Sequence, residues 1–285
     1  MRILVLGASG MLGHMAFDVL GREYGHEVYG TVRSERVRRH FATDAQSRIY
    51  TGIDGTDTDM LIMIISRVRP DVVINCIGVV KQLATADDPL VALPLNAILP
   101  HRLARACDLA NVRLVHVSTD CVFSGKAGGY TEASQPDAYD LYGRSKLLGE
   151  VDYPNAITLR TSIIGRELDS RNGLIEWFLN ESGKVRGYSR AIFSGLTTNE
   201  LARVVAERVL PRPDLHGVWH VSAAPIDKYS LLRLVQEAYG HDIEIEPYDG
   251  FAIDRSLDSS RFRAETGYQP PEWSTMIHRM RDSRN

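Results

Sequence analysis

Residues 3–13 read Ile3-Leu4-Val5-Leu6-Gly7-Ala8-Ser9-Gly10-Met11-Leu12-Gly13, an apolar run that passes directly into a glycine-rich turn. A strand that ends in glycine and enters a helix must turn sharply, admit a ligand's phosphates to the backbone and bring the helix close to the sheet. Glycine has no Cβ to obstruct any of the three. Gly7, Gly10 and Gly13 stand at those points, and a helix opening at Met11 and Leu12 would aim unpaired N–H groups and its positive dipole end at a pyrophosphate. With a second strand candidate at Glu27 to Val32, the turn reads as a dinucleotide site rather than an ordinary strand-to-helix connection.

Outward from that turn, short β-branched runs alternate with segments of helical period, the pattern of a parallel sheet covered on both faces. The strands expected are Ile3–Leu6, Glu27–Val32, Arg48–Thr51, Val72–Asn75, Arg113–Val117, Ala156–Arg160 and Gly217–Val221. Apolar residues at helical spacing predict helices over Leu12–Leu20, Asp59–Val68, Asn96–Leu109, Leu141–Val151 and Asn199–Val209. After Arg160 the alternation loosens through 165–172 and 182–194, and beyond Pro225 a helix at Tyr229–Tyr239 and a strand at Ile243–Pro247 suggest a smaller lobe. The expected fold is α/β, a Rossmann-type doubly wound parallel sheet. Residues 1–165 with about 195–222 would form the NAD(P)-binding domain, and about 166–194 with 223–285 an α/β C-terminal substrate-binding lobe.

The 285 residues suffice for such a domain and lobe, and a net charge of −3 with mixed signs gives no reason to expect nucleic acid or an anionic membrane as partner. Three cysteines, Cys76, Cys107 and Cys121, form neither a paired framework nor a metal spacing, so free thiols, no metal and a reducing cytoplasm are expected. The N-terminal apolar run is too short for a signal peptide, and no stretch reaches the roughly 20 apolar residues of a membrane span.

Cofactor choice is commonly made at the tip of the second strand, where an acid binds a ribose 2′-hydroxyl and a base accepts a 2′-phosphate. Here no acid stands at the tip; Arg33 does, followed by Arg36, Arg38 and Arg39. That favours NADP, with NAD still possible, although a solvated basic helix start would also account for Arg38 and Arg39. Asp54 is either an adenine ligand or a helix cap. Cys76, Gly78 and Val79 after the fourth strand, and Val117 at the end of the fifth, would line the cofactor.

Tyr142 and Lys146 are one helical turn apart and share a face, separated by about 6 Å of rise. An ammonium beside a phenol favours its ionised form, and a tyrosine so tuned can give a proton to a carbonyl oxygen. Ser118 and Thr119 end the fifth strand where an open parallel sheet binds ligands, and a hydroxyl there can hold that oxygen; alternatively Thr119 and Asp120 only satisfy a turn.

The runs Val117-Ser118-Thr119-Asp120-Cys121-Val122-Phe123-Ser124-Gly125, Tyr130-Thr131-Glu132 and Tyr142-Gly143-Arg144-Ser145-Lys146-Leu147-Leu148-Gly149-Glu150 resemble the dTDP-4-dehydrorhamnose reductase family, among the extended short-chain dehydrogenases. Arg69 to Asn75 and Arg255 to Phe262 are similar to further family segments. The resemblance implies that Tyr142 is the catalytic acid, Lys146 its partner and cofactor ligand, Thr119 the supporting hydroxyl, and a nucleotide-linked 4-keto-6-deoxysugar the substrate. Asp120, Lys81, Asn172, Trp177 and Arg255 are its candidate substrate contacts, with Arg186 and Tyr188 as further phosphate candidates. Trp177 would more commonly be core, and Lys81 solvated.

Three departures fall where sugar and base would be sensed: Cys121 in place of a tyrosine, the loop Ile77 to Lys81, and Ile163 in place of a tryptophan. Alternative expectations are an epimerase or dehydratase of the same superfamily, or a non-catalytic cofactor-binding subunit. Family members include both monomers and homodimers.

Overall fold

The computed structural model describes residues 1–81 and 84–283. The chain lays down β1 (Arg2–Leu6), α1 (Met11–Arg22), β2 (Glu27–Thr31), β3 (Ile49–Tyr50), α2 (Thr58–Val68), β4 (Val72–Asn75), α3 (Pro89–Ala92), α4 (Leu99–Leu109), β5 (Arg113–Thr119), α5 (Leu141–Leu148) and β6 (Ala156–Thr161). There follow β7 (Ile163–Ile164), α6 (Leu174–Asn180), β8 (Lys184–Tyr188), β9 (Ala191–Phe193), β10 (Leu196–Thr197), α7 (Thr198–Val204) and β11 (Gly217–His220). The last part holds β12 (Ile226–Asp227), α8 (Lys228–Tyr239), β13 (Glu244–Tyr248), β14 (Ile253–Asp254), α9 (Ser260–Thr266) and α10 (Trp273–Asp282).

Seven strands form one parallel sheet in the order β11-β6-β5-β4-β1-β2-β3. Each expected strand of the sheet is present, and the fold is the Rossmann-type one. Successive side chains leave a strand on opposite faces, and the core divides accordingly. Ile3 and Val5 join Val72, Ile74 and Val115 under α1 and α7, while Leu4 and Leu6 join Val73 and Leu114 under α2 and α4. Strand order reverses between β1 and β4, the switch point at which open α/β sheets take ligands beyond their carboxyl ends.

Several expectations need correction. β3 shrinks to Ile49–Tyr50 because Gln46–Arg48 coil into a 3₁₀ turn. The helix expected from Asn96 begins regularly at Leu99, after a wider π-type turn over Leu93–Ile98. α5 stops at Leu148 rather than Val151, and the next residue, Gly149, lies so close to the π-type turn that a Cβ there would stand 1.9 Å from the Asn96 carbonyl oxygen. The loose stretch 182–194 contains β8 and β9, in which Gly187 interrupts the apolar signal because Tyr229 and Ile245 fill its Cβ position. α10 was hidden behind Pro270 and Pro271, though Trp273, Met276, Ile277 and Met280 bury one helical face. β8 pairs with β13, and β9 lies between β12 and β14, forming two small sheets beyond the carboxyl end of the main one.

Candidate active site

The glycine turn is shaped by contacts a larger residue would break. Gly7 adopts φ +78°, and a Cβ on Gly13 would fall 2.1 Å from the Gly7 carbonyl oxygen. That near contact lets α1 start against the end of β1. The Gly7 N–H donates to Thr31 Oγ1 at 3.2 Å and the Gly10 N–H to the Gly7 carbonyl at 3.0 Å. Gly10 caps α1 in an extended conformation without a side-chain hydrogen bond, and the first turn carries no acid. The orphan N–H groups there suit an anion.

In front of this turn, at the ends of β1, β2 and β4, lies a cavity. Of the residues expected to hold a cofactor, Gly7, Gly10, Arg33, Asp54, Cys76, Gly78 and Val79 line it. Gly13, Met11 and Leu12 do not: Leu12 is buried in the core, and the Met11 side chain packs where a Cβ on Gly173 or Gly165 would be, so these residues offer backbone only. Val117, Tyr142 and Lys146 also lie outside the lining. Ile77, inside the expected stretch, lines it too, as do Thr31, Ile53 and Leu95, whose apolar or strand context gave no separate signal.

The basic run divides by its partners. Arg38 pairs with Glu35 at 2.9 Å, and Arg39 and His40 with Asp169, whereas Arg33 lines the cavity with no ion pair among the described residues. Asp54 is not the helix cap: it accepts from the Thr56 N–H and hydroxyl, both at 2.8 Å, which hold its carboxyl below the usual range, while Asp57 caps α2 through the Met60 N–H. Glycine positions that Cβ atoms would fill, uncapped helix N–H groups and a free arginine at the rim fit a dinucleotide.

Asp140 caps α5 by accepting from the Gly143 N–H at 2.7 Å, and Lys81 pairs with the same carboxylate at 2.6 Å. A Cβ on Gly143 would lie 2.3 Å from the Cys121 carbonyl, so α5 seats directly on the turn that follows β5. Lys146 is buried, its ammonium donating to the Val117 carbonyl at 2.8 Å; burial pushes its pKa down to about 8, with Glu150 and then Cys76 opposing. Tyr142 is half-buried, and its phenol is raised above the ordinary value by removal from water and by Cys121, with Thr119 opposing. The expectation that Lys146 lowers the phenol is therefore corrected: the lysine is directed at the Val117 carbonyl, and desolvation prevails.

Asn96 ties these pieces together. Its Oδ1 accepts from the Val79 N–H at 2.9 Å and its Nδ2 donates to Ser145 Oγ at 3.1 Å, linking the cavity loop to α5. The sequence marked it only as the start of a helix. Ser118 does not face a ligand: it donates to Glu150 at 2.6 Å, and Glu150 holds buried Arg160 at 2.9 and 2.5 Å. Thr119 does serve its turn, accepting from the Cys121 N–H and donating to Asp120, both at 3.1 Å.

On the substrate side, Asp120 is buried, which raises its pKa against the opposing charge of Arg255. Arg255 donates from Nε to the Phe123 carbonyl at 2.9 Å. Lys228, at the start of α8, shares this field with Asp120 and Cys121 and was not anticipated. Asn172 lies exposed just before α6 and Trp177 on its outer face, neither lining the cofactor cavity; Trp177 is 37% exposed, and Phe178 fills the core place instead. Arg186 lies over the Tyr248 ring and Tyr188 is exposed, neither joining the Asp120 cluster. Burial also lifts the Cys76 and Cys121 thiols to about 12, leaving them protonated. Among the described residues no helix is long and apolar enough to cross a membrane, and no group of three or more His, Cys, Asp or Glu is placed to hold a metal.

The family model described as the RmlD substrate binding domain matches residues 1–284, and the chain belongs to that family. It is 35% identical over 78% of its length, and 75% of the relative's, to the probable low-salt glycan biosynthesis reductase Agl14 of Haloferax volcanii. It is 27% identical to dTDP-4-dehydrorhamnose reductase of Mycolicibacterium smegmatis, covering 85% of this chain and 71% of the relative. A further relative at 27% identity is methionine adenosyltransferase 2 subunit beta of Danio rerio, covering 84% and 74% of the two chains. The fold matches the crystal structure of dTDP-4-dehydrorhamnose reductase from Bacillus anthracis in complex with NADP, with a TM-score of 0.78 at 21% identity over 98% of both chains.

Proposed function

We propose that the chain is an NADPH-preferring reductase of a nucleotide-activated 4-keto-6-deoxysugar, with residues 1–165 and about 195–222 holding the cofactor and the remainder the substrate. The observation that carries this reading is the contact between the catalytic helix and the cofactor cavity: a Cβ on cavity-lining Gly78 would stand 3.9 Å from the Lys146 ammonium. The nicotinamide, when bound, supplies hydride to the C4 ketone. Tyr142 gives its phenolic proton to the ketone oxygen, and its raised pKa keeps that proton in place at neutral pH. Lys146, with a pKa of about 8, is mostly charged at pH 7 and serves as the cofactor ligand on the cavity side of α5. Thr119 holds the oxygen, and Arg33 favours the 2′-phosphate of NADP. The reductase names of the Haloferax and Mycolicibacterium relatives support the reaction type.

A second reading, a cofactor-binding subunit without turnover, is favoured by the similarity to the methionine adenosyltransferase subunit. Isotope transfer separates the two. With NADPH deuterated at the transferring position and a panel of dTDP- and UDP-linked 4-keto-6-deoxysugars, the reductase reading expects deuterium at C4 of one product. Cofactor binding with no labelled product from any panel member supports the second reading.

A further inference from the structure

We infer that Glu150 is a positioning residue: its carboxylate fastens the end of the catalytic helix to β5 and β6, and so fixes where the Lys146 ammonium stands beside the cofactor cavity. Its bearing on turnover rests on the reductase reading. Glu150 lies just past α5, yet its N–H still donates to the Leu147 carbonyl at 3.1 Å, so Lys146 and Glu150 keep the one-turn spacing that puts two side chains on one face. Both are anchored to consecutive residues of β5. Lys146 Nζ donates to the Val117 carbonyl at 2.8 Å, and Ser118 Oγ donates to Glu150 Oε1 at 2.6 Å.

Arg160 stands on β6 directly opposite Ser118 and grips the same carboxylate twice, Nε donating to Oε1 at 2.9 Å and Nη2 to Oε2 at 2.5 Å. Its Nη1 lies 2.9 Å from Nε2 of His220, its neighbour on β11. Because His220 Nδ1 is 2.9 Å from the Tyr130 carbonyl, which can only accept, Nδ1 carries the proton and Nε2 accepts from Arg160. Each guanidinium nitrogen is thereby engaged, and the carboxylate is held in one place. Stability alone gives no reason for such a pair, since apolar residues of similar volume in place of a buried ion pair are often neutral or stabilising. A fixed carboxylate can do what they cannot, which is to favour a nearby ammonium. The other titratable groups around Lys146 are uncharged at neutral pH: burial lifts the Cys76 thiol to about 12, raises the Tyr142 phenol and lowers the His116 imidazole well below its ordinary value. Against the burial that lowers the Lys146 pKa, Glu150 is the strongest opposing influence.

The test reads Lys146 directly in the full-length protein, by heteronuclear NMR of its ε-methylene in lysine-labelled samples titrated with pH, the signal being assigned by its loss in Lys146→Arg. Glu150→Gln should lower the Lys146 pKa from about 8 by about one pH unit or more. The alkaline limb of kcat/KM for a dTDP-linked 4-keto-6-deoxysugar should move to lower pH by the same amount. That variant leaves Arg160 buried without its partner, so Glu150→Gln combined with Arg160→Met is measured beside it. With no unpaired charge, the double variant should melt within a few degrees of wild type and show the same lowered pKa. A wild-type Lys146 pKa in the double variant, or a midpoint far below wild type, makes the pair a structural clamp and overturns the inference. A kcat/KM limb that stays in place while the pKa moves overturns it as well. Wild-type protein that reduces no member of the sugar panel overturns the reductase reading instead, and the NMR comparison then decides the role of Glu150 without turnover.

Discussion

The cofactor cradle and the substrate side are built from different materials. The cradle is backbone: Gly7 in a left-handed conformation, Gly13 pressed against the Gly7 carbonyl, and helix N–H groups without a side-chain cap, much of it within one stretch of a dozen residues. The candidate substrate side is made of side chains, buried Asp120 with half-buried Lys228 and Arg255, which come from separate parts of the chain. A backbone site tolerates change at side chains that point away, such as Met11, and fails where an added atom collides. A side-chain site can be altered one residue at a time.

The sharpest way to break this contrast is Gly13→Ala. The added methyl has no room, and overpacking of this kind costs about 1–3 kcal/mol. The thermal midpoint should fall and NADPH binding by fluorescence titration should be lost. Retained binding in a stable variant would show that the grip does not depend on the close approach of α1 to β1.

A smaller effect is expected from Arg33→Ala, which removes one charged contact at the rim. The preference for NADPH over NADH, read from the ratio of kcat/KM values, should drop by about 10-fold or more, with NADH kinetics little changed. An unchanged ratio would move the 2′-phosphate contact elsewhere, Arg36 being the next exposed base in the run.

A gentler test lies in pH. Lys146 carries its charge below a pKa of about 8 and loses it above, so kcat/KM should decline as pH rises through that value. A profile flat to pH 10 would mean that the lysine charge does not support turnover.

The same contrast explains what could be read before folding. The sheet was legible because β1, β4, β5 and β6 carry apolar runs, and the glycine turn because its constraint is local. β8 escaped because Gly187 exchanges a side chain for contact with Tyr229, and the role of Asn96 because a side chain bridging the Val79 loop and Ser145 has no sequence period. Tyr142, Lys146 and Thr119 were visible as spacing and resemblance, yet the electrostatics ran opposite to the simple expectation: the lysine is directed at the Val117 carbonyl, and burial raises the phenol. Lys228 lies one residue before the helix expected at Tyr229–Tyr239 and was not singled out. Only the folded chain sets it over the Phe193 ring.

The central claim is that Tyr142 is the proton donor of a reductase whose cofactor grip is independent of it. The most direct measurement compares wild type with Tyr142→Phe for NADPH oxidation in the presence of a 4-keto-6-deoxysugar nucleotide that the wild type reduces, alongside NADPH affinity for both. Turnover should fall by about 10²–10⁴-fold, as expected for loss of a general acid, with cofactor affinity within a few-fold of wild type. A variant that still turns over at the wild-type rate would contradict the account.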